Sequence, residues 1–192
     1  MVKCHRILSR KYKFHNPSAA YFISFAVVNW IDVFTREAYF KVITDSLDFC
    51  RNNKGMALFA YCIMPSHVHL LFRDDNEDPS VLLRDFKGFT SKRMIASILE
   101  HPQESRREWM LWMFRRAGEK NSNVKEYQFW QQNNKPIELW STPVIKEKFD
   151  YIHNNPVKAG LVTEPWEWKY SSARNYAGLD AVIPIDEIGF LG

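Results

Sequence analysis

Long apolar runs are what this sequence most plainly lacks. No stretch of about 18 apolar residues occurs, so no membrane span is expected. The opening residues, Met1 to Arg6, are polar where a secretory leader would be apolar. Cysteine is scarce as well: Cys4, Cys50 and Cys62 are odd in number, far apart and form no Cys-x-x-Cys. That spacing fits neither a disulfide framework nor a zinc ribbon, and it points to reduced thiols in a cytoplasmic protein. Charge is not heavily of one sign either. The 26 Lys and Arg against 22 Asp and Glu leave a net +4, a mild basicity that suits nucleic acid without identifying it as a partner. What the chain has in quantity is apolar and aromatic surface, 46% and 15% of 192 residues. That is enough for one folded domain with a sizeable core. No internal repeat, linker or low-complexity segment divides it.

Residues 21–28 are aromatic and β-branched and predict a first strand. A helix is expected over 35–50, with Thr35 as N-cap. An apolar run at 58–64, the Pro65-Ser66 turn and an alternating run at 67–73 predict two paired strands. Asp78-Pro79 has the N-cap and N1 signature of a helix running to Leu99, with Leu82, Phe86 and Phe89 at helical spacing. Pro102 breaks that element, and 105–117 reads as another helix closed by Gly118. A strand at 127–131 is expected to pair, through Asn133-Asn134, with 137–139. Thr142-Pro143 opens a last main helix as N-cap and N1, with Ile145, Phe149 and Ile152 buried and Pro156 limiting its length. The aromatic tail from Leu161 onward is expected to wrap the core. Together these elements predict an α+β, ferredoxin-like antiparallel sheet with helices packed on one side, plus a C-terminal tail.

The chemistry-bearing feature is His67-Val68-His69. On a strand, i and i+2 project from one face, so the two imidazoles stand about 7 Å apart by strand rise and can converge on one divalent cation. Two histidines leave a metal short of ligands. Tyr151 and Asn155, four apart on a helix face, can supply a phenol and an amide oxygen. Imidazoles plus an amide oxygen suit Mg²⁺ or Mn²⁺ better than a closed zinc site. The chemistry that follows is phosphoryl transfer, with the cation polarising a phosphodiester while Tyr151 attacks phosphorus.

His67-Val68-His69, together with Tyr151-Ile-His-Asn-Asn-Pro-Val-Lys-Ala-Gly-Leu-Val162, Phe129-Trp130-Gln131 and Tyr170-Ser171-Ser172, resembles the IS200-like, single-tyrosine HUH transposases. The resemblance is closest to the REP-associated tyrosine transposases. It implies one domain over residues 1–192, with a core at about 18–160 and an extension over 161–192. It also implies that Tyr151 forms a 5′-phosphotyrosine link and releases a 3′-hydroxyl, and that His67 and His69 bind the metal. Asn155 would stand at the third-ligand position, where relatives often carry Gln. The implied substrate is single-stranded DNA beside a hairpin, cut and rejoined without a nucleotide cofactor. Relatives occur as dimers, so a homodimer and a monomer are both open. The segment 102–125 is longer than in compact members, which leaves its role in dimerisation or DNA contact open.

Other readings stand beside these. A His-x-His pair can be purely structural, and Asn155-Pro156 could instead cap a short helix. A non-catalytic nucleic-acid-binding module and a phosphodiesterase using water remain alternatives to the transposase. Lys87, Lys92, Arg93, Arg106, Arg107, Arg115 and Arg116 are candidate phosphate contacts, though charged residues also form ordinary solvated helix faces. His153, two residues from Tyr151, is expected to face elsewhere.

Overall fold

A computed structural model describes residues 14–132 and 134–188. Cys4, Asn133 and the polar opening of the chain lie outside them. The elements follow in the order β1 (Tyr21–Ala26), α1 (Glu37–Asn53), β2 (Met56–Ile63), β3 (His67–Asp74), α2 (Pro79–Glu100), α3 (Arg107–Gly118), β4 (Ile137–Glu138), α4 (Thr142–Lys158) and α5 (Ala173–Tyr176). The four strands form one sheet in the order β2-β3-β1-β4, with every neighbour antiparallel. This is the ferredoxin-like α+β arrangement, and it places β3, with both histidines, between β1 and β2.

A local signal sets the start of α2. The Asp78 carboxylate accepts from the Val81 N–H and Pro79 sits in the first turn of α2, where its missing N–H costs nothing. Three expectations shift. Thr35 does not cap α1, which starts at Glu37; its Oγ1 accepts instead from the Arg106 guanidinium at 2.9 Å. α4 is preceded by Ser141, so Thr142 is already helical, and the helix continues through Pro156 to Lys158. Asn155 therefore lies inside a helix and is not the cap of a new one. The strand expected at 127–131 is reduced to a single bridge between Val27 and Trp130. Phe129 and Trp130 are buried in the core, and β4 pairs with β1 rather than with this segment.

Helices cover both faces of the sheet, not one. Ile23, Phe25, Val68, Leu70 and Phe72 pack beneath α1, α2 and α3, while Phe22, Ala60 and Leu71 pack beneath Ile145 and Ile152 of α4. Each β3 side chain alternates between these two layers, so the histidine face is roofed by α4. Phe89 is 58% exposed rather than part of the α2 stripe. Among the described residues no helix is long and apolar enough to cross a membrane, and Cys50 and Cys62 are buried free thiols.

The tail closes the outer edge of β2. Ile63 N–H donates to Tyr170 O, Ser172 N–H to Tyr61 O, and Tyr61 N–H to Ser172 Oγ. Farther along the same edge, Asp186 N–H donates to Leu58 O while its carboxylate accepts from Leu58 N–H. An otherwise open edge, with its unpaired backbone groups, is thereby satisfied.

Candidate active site

The Met64-Pro65-Ser66-His67 turn, closed by Met64 N–H to His67 O at 2.8 Å, starts β3 in the register that turns both imidazoles toward α4. Their ring centroids lie 4.7 Å apart, edge to face, nearer than strand rise alone suggests because the rings lean together. His69 is 2% exposed, stacked 5.9 Å from Phe22. His67 is half-buried, with Ser66 Oγ 3.2 Å from its Nδ1 and the Trp30 indole edge-on at 5.3 Å.

Helix α4 brings the second half of the site. Tyr151 is 42% exposed; its ring meets His69 at 5.3 Å and Phe22 at 5.8 Å. One turn on, the Asn155 amide lies within reach of both imidazoles. Lys148 and Lys158 flank this stripe at helical spacing, their ammonium groups 5.7 Å from the Phe22 ring and 5.9 Å from the Tyr151 ring. Lys158 was not singled out from the sequence, although its position seven residues after Tyr151 carries the signal.

Burial dominates the electrostatics. Desolvation pushes the His69 pKa down to about 3, with the neighbouring His67 adding to the effect and the Asn155 amide opposing it. Desolvation also lowers His67, against the Asn155 amide and the Asp32 carboxylate. Both rings are thus held neutral, the form that can donate a lone pair to a metal. Neither ring nitrogen of His69 makes a hydrogen bond of normal geometry. Two unpartnered buried nitrogens are costly and fit a site built to hold a cation. Among the described residues no group of three His, Cys, Asp or Glu could hold a metal; the Asn155 amide is the polar side chain within reach of both imidazoles. The donor set of two neutral imidazoles and an amide fits Mg²⁺ or Mn²⁺.

His153 faces away from Tyr151, as its spacing predicts, and is buried. Its Nε2 lies 2.8 Å from Ser172 Oγ, and burial pushes its pKa down to about 4. The contact ties α4 to the tail and, through Ser172, to Tyr61 of β2.

The cationic candidates divide. Arg106 and Arg107 are structural: Arg106 donates to Glu104, Asp32 O and Thr35, and Arg107 to His101 O. Lys87 is likewise engaged within the protein. Its half-buried ammonium donates to Gln131 O and Asn134 Oδ1, and desolvation lowers its pKa to about 8. Lys92 and Arg93 are exposed on α2, across the sheet from Tyr151. Arg115 is exposed and donates to Glu126 and Tyr127; Arg116 is exposed with its guanidinium over Trp112 at 5.2 Å.

The chain is similar, at 19% identity and TM-score 0.62, to a REP-associated tyrosine transposase solved bound to a REP hairpin, over 96% of this chain and 94% of that one. It is 26% identical over 114 residues to a Haemophilus influenzae protein named for the REP-associated tyrosine transposases. The alignment takes in 59% of this chain and 56% of that relative's length. The family "Transposase IS200 like" matches residues 18–127, more than half of the sequence, and the chain belongs to it. That match includes His67 and His69 and stops before Tyr151 and Asn155.

Proposed function

We propose that the protein cuts and rejoins single-stranded DNA beside hairpins in the cytoplasm, with Tyr151 as nucleophile and His67, His69 and Asn155 as ligands of a divalent cation. One observation carries the reading: a half-exposed phenol stands 5.3 Å, ring to ring, from a buried imidazole whose two nitrogens are unpartnered. Bound there, Mg²⁺ or Mn²⁺ would supply a Lewis acid that offsets charge developing on the phosphodiester oxygens.

The remaining steps belong to the chain. The Tyr151 oxygen attacks phosphorus, the P–O3′ bond breaks, the phenolic proton passes to solvent and the departing 3′ oxygen ends as a hydroxyl. The DNA 5′ phosphate stays esterified to Tyr151, so the bond energy is kept and a 3′-hydroxyl can reverse the step. The Phe22 and His69 rings fix the phenol's direction, and Lys148 and Lys158 offer positive charge to the DNA backbone on either side of it.

The test is a labelled hairpin with a single-stranded tail, incubated with Mn²⁺ and run on a denaturing gel. A protein–DNA adduct is expected, and Tyr151→Phe should bind DNA but form none. Cutting by the Phe variant at a rate near wild type would overturn the nucleophile and favour a water-using phosphodiesterase. Binding with no cleavage by the wild-type chain would favour a non-catalytic module.

A further inference from the structure

Backbone conformation after β1 is unfavourable for the residues that adopt it. Asn29 and Trp30 both lie in the left-handed region, at φ 56 and 55. Asparagine tolerates this conformation, whereas a bulky side chain there is an outlier held only by its surroundings. The holding groups are visible. Val28 N–H donates to Phe129 O, Gln131 Nε2 donates to Val27 O, and Arg106 donates to Asp32 O. The strain leaves the indole 57% exposed and edge-on to His67.

Beside Trp30 opens a cleft of about 700 Å³ between this turn, the end of α3 and residues 128–132. Its size suits a small organic ligand. Arg116 and Lys120 line the α3 side, and no carboxylate lines it among the described residues. Carboxamides line much of the remainder, and three are already oriented: Asn121 donates to Gln128 Oε1, Gln128 to Trp130 O and Gln131 to Val27 O. An exposed indole, fixed amides and unopposed cations match the three parts of a nucleotide, namely its base face, its base edge and its phosphate.

We infer that this cleft holds one unpaired nucleotide of the DNA substrate, with its base on Trp30 and its phosphate toward Arg116 and Lys120, directly beside the His67 end of the candidate active site. The inference rests on the reading of the chain as a single-stranded DNA-cutting protein. A duplex cannot occupy the cleft, because its base faces are covered by stacking. The strained turn is thereby given a purpose: it sets an aromatic platform between the cleft and the imidazole pair.

The test uses Tyr151→Phe protein, which binds without cutting, and hairpins whose single-stranded tail carries one abasic residue walked position by position. One position should cost roughly tenfold in affinity. Trp30→Gly, which suits the left-handed backbone and so keeps the fold, should abolish that penalty, while Trp30→Phe should keep most of it. Arg116→Gln with Lys120→Gln should lower the log–log salt slope by about 1–2. An abasic penalty unchanged in Trp30→Gly, or none at any position, would overturn the inference. Adduct formation is scored separately with the wild-type chain. Adduct without a base-dependent position sinks the cleft alone, and a base-dependent position without adduct sinks the nucleophile alone.

Discussion

Replacing Glu104 by Gln should destabilise the protein in a way that depends on pH. The Glu104 side chain is fully buried and accepts from Arg36 Nε at 2.9 Å, Arg106 N–H and Nε at 3.1 Å, and the Tyr39 hydroxyl at 3.0 Å. Burial alone would raise its pKa, but the hydrogen bonds from Arg106, Arg36 and Tyr39 outweigh it and hold the carboxyl at about 2 instead of 4.5. Burial in the first place, and the hydrogen bond to Glu104 in the second, push Tyr39 up to about 12. A change of that size corresponds to roughly 3 kcal/mol in favour of the charged form. Both guanidinium groups are about one-third exposed and partly screened, which brings the expected loss in Glu104→Gln to about 2–3 kcal/mol at neutral pH. That equals about 4–12 °C in Tm for a chain of this size. Between pH 4.5 and about 2 the unfolded chain takes up this proton first. The wild-type advantage is therefore fully present above the unfolded value and fades as pH falls through the folded one. Urea unfolding of both proteins at pH of about 6, 4 and 3 measures the gap, which should narrow with acidity. A gap of constant size across that range would refute the assignment of the stabilisation to the Glu104 charge.

Three further outcomes are expected. Tyr151→Phe should abolish the covalent DNA adduct with little change in hairpin affinity, read on denaturing gels and by titration. His69→Leu should stabilise the metal-free chain by about 1–2 kcal/mol, because two unpartnered buried nitrogens disappear. The same change should abolish any Mn²⁺-dependent rise in Tm, and a lower Tm without metal would show that the imidazole packs favourably as it stands. Ser172→Ala should cost about 1–3 kcal/mol in urea unfolding, since the Tyr61 N–H and His153 both lose their partner; a change near zero would mean that the α4–tail link carries little.

Features written in short-range chemistry were legible in the sequence. Asp78-Pro79 announces a helix start because capping is local, and the alternation of 67–73 places both histidines on one face. The four-residue spacing of Tyr151 and Asn155 likewise puts them on one helical stripe. What depends on distant partners was not legible. Thr35 has the chemistry of a cap but is taken by Arg106, 71 residues away. The run 127–131 has strand composition, yet Phe129 and Trp130 are buried in the core. Lys87 and Arg106 look like any surface cations until the backbone oxygens they bridge are in place. Trp30 is the hardest case, since no propensity puts an indole in a left-handed turn; only the surrounding hydrogen bonds hold it there.

The closure of β2 by the tail has a consequence for how the chain comes off the ribosome. Leu58 is separated from Asp186 by 128 residues. At about 5–20 residues per second, β2 waits roughly 6–25 s before its outer edge can be paired. During that interval a fully buried-type strand, Met56–Ile63, offers bare donors and acceptors to any neighbouring nascent chain. Interrupted synthesis, or proteolysis between α4 and residue 170, should therefore yield clumping fragments rather than a smaller working protein, and only molecules translated through residue 186 should remain dispersed.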